Sequence, residues 1–267
     1  MTELEDFTQR LTDERMTGVW EMVDDNLTAI PTGDLVARLA ETHQCIRGLT
    51  HPREMPWIPE SEWRAALMRL RSGRRALQAI GREGNLSRLK VYSVALVNHQ
   101  DAPLEDRIRA FTASLPMIEE ATAADLALEF LHFHAPRLYP LMTKWVFAWK
   151  TGTGALPYLM EFSNQPGTDG QDRFYAFGAN YHELTMRLRA LEGVLKARGL
   201  AKFGSFSLDL FFAYLYADYL YKMYFTASKS IFSAIPSVLG VMAHLLGIPI
   251  PAAALPAGMP VDTLGQW

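Results

Sequence analysis

Cysteine is almost missing from this sequence: Cys45 is the single one. That excludes an internal disulfide framework and any cysteine-rich zinc or iron–sulfur site within the chain. Segments of alternating polar and apolar residues, the mark of half-buried strands, are absent, and no repeat of solenoid period occurs. His182-Glu183 is not followed by a second histidine in HExxH register, and Thr151-Gly152-Thr153-Gly154 lacks the lysine and spacing of a phosphate loop. The first ten residues, MTELEDFTQR, carry acids where a secretion signal has bases and an apolar core. The expected location is the cytoplasm.

What remains is a chain of 267 residues, 49% hydrophobic and 21% charged, composition typical of a folded globular protein. Its net charge of −3 conceals an asymmetry: residues 1–60 sum to −7, residues 61–90 to +6 and residues 91–267 to −2. The basic block includes Arg64, Arg71, Arg74, Arg75, Arg82 and Arg88, a candidate surface for phosphates or an acidic partner. It can equally pair with the acidic N-terminal segment of the same chain. The sequence divides into an acidic helical segment over 1–60, a helical core over 61–225 and an apolar, proline-rich extension over 226–267.

Helical periodicity dominates, and the expected fold class is all-α. Asp34 is placed to cap a helix through LVARLAETHQCI, with Leu35, Leu39 and Ile46 on one side. After the proline-rich stretch at 50–60, Ser61 is placed to cap one long helix through EWRAALMRLRSGRRALQAI. Trp63, Leu67, Leu70, Leu77 and Ile80 form its apolar stripe, with its arginines facing out. Further helices are expected over Leu86–Asn98, Leu104–Ser114, Ala121–Phe133, Tyr181–Arg198 and Leu208–Phe225, the last with aromatic residues all round it. Gly199 is a C-terminal cap, and Thr151–Gly178 reads as a long connection.

Several residues invite a chemical reading. Glu129 and His132 share a helical face and, with His134 and a further histidine such as His99 or His182, form a candidate oxygen/nitrogen metal site. Against this, His132 reads as a hydrogen-bonded core residue and His134 as a helix-end cap. Cys45 reads as a buried structural thiol. Asp209 and Asp218 lie inside the aromatic helix, where a carboxylate needs a partner; Lys222 sits four residues from Asp218. Ile231 to Leu255 contains no acidic or basic side chain, but Pro236, Pro249 and Pro251 interrupt it. It reads as a buried helix with an apolar tail. Its alternative is membrane or partner contact through Ile231, Phe232, Val238, Leu239, Leu245 and Leu246.

The run SRLKVYSVALVNHQDAPLEDRIRAFTASLPMIEEATAADLALEFLHFHAPRLYPLMTKWVF, with SLDLFFAYLYADYLYK further on, resembles the helix-hairpin-helix region of the DNA-glycosylase-like superfamily, covering about residues 86–146 and 207–222. Leu115-Pro116 matches the start of the hairpin, Leu131-His132-Phe133 the end of its second helix and Pro136 to Pro140 the following loop. The resemblance implies a glycosylase-like helical fold. It also implies glycines after Leu115-Pro116 and an aspartate near Thr143. This chain has Met117, Ile118, Glu119 and Glu120 in the hairpin and no carboxylate beside Thr143. Bulk and negative charge oppose a phosphate there. The sequence therefore points to a repurposed scaffold: a non-catalytic interaction or accessory protein without a cofactor, working with a protein partner or as a homo-oligomer. The alternatives are a nucleic-acid-binding protein or diverged glycosylase-like enzyme, and a metal-dependent enzyme.

Overall fold

A computed structural model describes residues 3–83, 86–163, 180–222 and 237–249. It is all-helical, with no strand among the described residues. The α-helices are α1 (Glu3–Thr12), α2 (Thr17–Ala29), α3 (Gly33–Leu49), α4 (Glu60–Leu67), α5 (Arg71–Glu83), α6 (Leu86–Asn98), α7 (Leu104–Ala113), α8 (Glu120–His134), α9 (Ala155–Ser163), α10 (Tyr181–Ala197), α11 (Ser207–Leu220) and α12 (Val238–Leu245).

Two helices act as hubs. α8 is buried around nearly its whole circumference and packs against α3, α5, α6 and α7. α11, with Phe211, Phe212 and Tyr214 buried, packs against α2, α9, α10 and α12. α1 crosses α10. The buried side chains form one cluster running from Phe7 to Ile248.

The long helix expected over 62–80 is two helices. Met68 to Leu70 break it, and the chain restarts at Arg71. Gly73 explains the tightness of the corner: a Cβ there would lie 2.2 Å from the Leu67 carbonyl oxygen. Only glycine lets the first turn of α5 close on the last turn of α4. Ser61 lies inside α4, whose N-cap is Pro59, and Asp34 lies in the first turn of α3 behind Thr32. The expected connection over 151–178 contains α9. Residues 145–156 form a tight reversal in which the Ala148 N–H donates to the Thr153 carbonyl at 2.8 Å. Gly154 holds a φ of +132° there, with no room for a Cβ against the Val146 carbonyl.

The segment over 237–249 is folded into the protein. Ser237 Oγ accepts the Gly240 N–H at 3.0 Å and starts α12. The helix ends in a Schellman motif, with Ile248 N–H donating to Ala243 O at 2.8 Å and Gly247 N–H to His244 O at 3.1 Å. Leu245 and Leu246 are buried in the chain's own core, which corrects their reading as a surface for a membrane or partner; Val238 and Leu239 are half-buried. Ile231 and Phe232 lie outside the described residues. Among the described residues no helix is long and apolar enough to cross a membrane.

Candidate functional site

The break between α4 and α5 creates the first polar cluster. It frees the first backbone N–H groups of α5, and Glu129 on α8 takes one of them: Ser72 N–H donates to Glu129 Oε2 at 3.0 Å. Four residues earlier on the same face, Asp125 Oδ1 accepts the Lys144 N–H at 3.0 Å. Arg71 and Arg74 turn toward these carboxylates. Arg74 Nη1 also donates to the Gly247 carbonyl at 3.3 Å, tying α5 to the end of α12. A Cβ on Gly247 would lie 2.8 Å from Arg71 N, so the loop after α12 rests directly on the α5 corner.

Burial shapes the charges here. Glu129 is pushed up to about 7, first by burial and then by the Asp125 charge, against the opposing pull of the Ser72 N–H and the Arg71 and Arg74 guanidiniums. Burial also raises Asp125, against the Lys144 N–H and Arg71. The same burial lowers Arg71 and Arg74.

The arginine surface expected from the sequence is therefore divided. Arg71 and Arg74 are half-buried and face inward, correcting the reading of these arginines as a solvated face. Arg75 is half-buried beside them. Arg64 is exposed and pairs with Glu60 at 2.8 Å, Arg88 is exposed on α6, and the side chain of Arg82 lies outside the described residues.

The candidate metal ligands are likewise separated. His132 Nδ1 donates to the Tyr139 carbonyl at 2.8 Å, and its Nε2 lies 3.0 Å from Asp209 Oδ2 on α11, with both side chains buried. The contact is an ion pair lying off the axis of a hydrogen bond. Burial works against the imidazolium, but the Asp209 charge and the Tyr139 carbonyl outweigh it and leave the His132 pKa raised. His134 Nδ1 donates to Thr50 Oγ1 at 2.8 Å, since the Thr50 hydroxyl gives its own hydrogen to the Ile46 carbonyl. His43 Nδ1 similarly donates to the Phe133 carbonyl at 2.7 Å. Glu129, His132 and His134 thus serve three different neighbours, and among the described residues no group of three potential ligands converges.

Asp209 finds a histidine 77 positions away, a pairing that no local spacing advertises. Asp218 does pair with Lys222, at 2.7 Å, and accepts a bond from Tyr158 Oη at 3.0 Å. Cys45 is half-buried, with burial raising its thiol pKa, the opposite of what a nucleophile needs.

The third polar region is the turn between α7 and α8. Leu115 N–H donates to the Thr112 carbonyl at 3.1 Å and Ile118 N–H to the Leu115 carbonyl at 3.0 Å. These two hairpin amides are used within the turn. Ile118 points into the core, while Glu119 and Glu120 are exposed. Beside them opens a cleft of about 700 Å³ lined by Glu105, Ile108, Leu115, Ile118, Glu119 and Tyr181, among others. Glu105 also accepts the His182 N–H at 2.9 Å, capping α10 from α7. Arg109 lines the cleft too, and its guanidinium lies 3.3 Å from Asp106. Thr143, near where the family resemblance implies an aspartate, is 1% exposed, and its hydroxyl has no hydrogen-bond partner among the described residues.

No protein-family model, curated protein or solved structure matches this chain significantly.

Proposed function

We propose that this chain is a non-catalytic helical interaction protein on a repurposed helix-hairpin-helix scaffold, and that its α7–α8 cleft receives a positively charged segment of a protein partner. The observation that carries this reading is the chemistry of the hairpin. Two of its backbone amides are spent on the turn itself, and Glu105, Glu119 and Glu120 edge a cleft whose floor is Ile108, Leu115 and Ile118. Carboxylates around an apolar floor complement a segment that alternates cationic and aliphatic side chains. They repel a phosphate backbone. The inward turn of Arg71 and Arg74 also weakens the nucleic-acid alternative, because their charge is engaged by Glu129 and Asp125.

The test is fluorescence anisotropy with three labelled probes at low salt: a Lys/Leu-alternating peptide, its Glu/Leu counterpart and a DNA duplex. The Lys/Leu peptide is expected to bind most tightly. The double change Glu119→Lys with Glu120→Lys should weaken it by about tenfold or more, the equivalent of one to two reversed surface ion pairs. Preferential binding of the duplex, lost in Arg64→Ala with Arg88→Ala and indifferent to the glutamate changes, would replace this reading with the nucleic-acid one.

A further inference from the structure

On the opposite side of α7 from the hairpin cleft lies a buried charge with no answering charge among the described residues. Arg107 is 8% exposed. Its Nη1 donates to the Leu96 carbonyl at 2.9 Å, and its Nη2 donates to Tyr139 Oη at 3.0 Å. The guanidinium carbon lies 5.5 Å from the centre of the Tyr139 ring. Its Nε–H has no acceptor, and among the described residues no carboxylate pairs with it. Neutral acceptors satisfy donors but leave the positive charge in place, and a desolvated charge without a counter-ion is unfavourable. Arg71 and Arg74 differ in this respect, since carboxylates face both of them.

Arg107 lines a pocket of about 270 Å³ between α6 and α7. Leu96 and Phe111 are its buried apolar wall, while Tyr92 and His99 stand exposed among its lining residues. Asp106 lines it too, with its carboxylate 3.3 Å from Arg109.

We propose that this pocket is a binding site for a small organic carboxylate, whose apolar body packs on Leu96 and Phe111 and whose charge neutralises Arg107. At the ~30 Å³ a water occupies in the liquid, the space suits a molecule of about nine non-hydrogen atoms. One guanidinium with Asp106 nearby favours a single negative charge over a phosphate dianion. The site uses different residues from the hairpin cleft and stands or falls without it.

Nuclear magnetic resonance reads the site directly through the Nε–H signal of Arg107, assigned by its loss in Arg107→Lys. Titration with benzoate should move this signal saturably, and neutral benzamide should bind roughly tenfold more weakly, because it lacks the charge that a guanidinium prefers. Ala95 also lines the pocket; Ala95→Leu fills the space while leaving the guanidinium in place, and should weaken benzoate binding by a similar factor. Arg107→Met should abolish it; should that variant fail to fold, Ala95→Leu carries the test alone. Absence of a saturable benzoate shift, equal binding of benzamide, or unchanged binding in Ala95→Leu would each overturn the proposal.

Discussion

Helix α8 carries charge into the core on two faces, and the two are stabilised differently. Toward α5, Glu129 meets a backbone N–H and two guanidiniums held nearby. Toward α11, His132 meets one carboxylate at 3.0 Å and one carbonyl at 2.8 Å. The first face is a diffuse cluster: when the acid takes up a proton, Arg71 still faces Asp125 and Arg74 keeps its bond to the Gly247 carbonyl. The second is a closed pair in which, among the described residues, each partner is the other's only answering charge. A network tolerates the loss of one charge, and an isolated pair does not.

The largest expected effect falls on the closed pair. Asp209→Ala leaves a buried imidazolium unanswered and should lower unfolding free energy by about 3–5 kcal/mol, measured by urea denaturation. His132→Ala should cost a similar amount. The double change should cost much less than the sum of the two, which a double-mutant cycle will show. Additive losses would mean that the two faces behave alike.

Next comes the pH dependence. The folded Glu129 pKa of about 7 lies above its ordinary 4.5, so the folded protein holds a proton that the unfolded chain releases. Stability should therefore fall as pH rises from about 4.5 to about 7, by about 3 kcal/mol from this residue. Glu129→Gln, which keeps an acceptor for Ser72 N–H, should flatten that part of the curve. His132 acts in the adjoining window. With a folded pKa raised above 6.5, its contribution is complete below 6.5 and lost as pH rises through the folded value. Asp209→Asn should remove that alkaline limb and leave the acidic limb intact.

A smaller effect is expected at Gly247. Its φ of +74° and its 2.8 Å approach to Arg71 N leave no room for Ala, and Gly247→Ala should cost about 1–3 kcal/mol in thermal unfolding. The smallest belongs to the exposed Arg64–Glu60 pair, where Arg64→Ala should change stability by about 0.5 kcal/mol or less.

The all-helical class and the helices over 86–98, 104–113, 120–134 and 181–197 were legible because each buries a stripe of regular period between clear end signals, such as Pro103 before α7 and Gly199 after α10. The split between α4 and α5 was not, since the apolar stripe continues through the corner. Only the contact of Gly73 with the Leu67 carbonyl reveals it. The same corner misled the reading of the arginines. Periodicity says which side of a helix is apolar, but it does not say that buried carboxylates on α8 will draw Arg71 and Arg74 inward. α9 was hidden in a stretch rich in turn residues. The need of Asp209 for a partner was legible; His132 as that partner was not, because the pairing depends on how two distant helices cross. The negative charge of the turn after Leu115 was readable directly from Glu119 and Glu120, both exposed; the crowding expected from Ile118 was not met, because that side chain turns into the core.

The contact of Gly247 with the α4–α5 corner has an implication for biosynthesis. The ribosome delivers this glycine long after α5 and α8 have been synthesised. Until it arrives, Arg74 lacks its carbonyl acceptor and the charged face between α5 and α8 stays accessible to water. Helix α12 thus closes an ionic interior laid down much earlier, and a nascent chain halted before Ser237 would present that unfinished seam to chaperones and proteases.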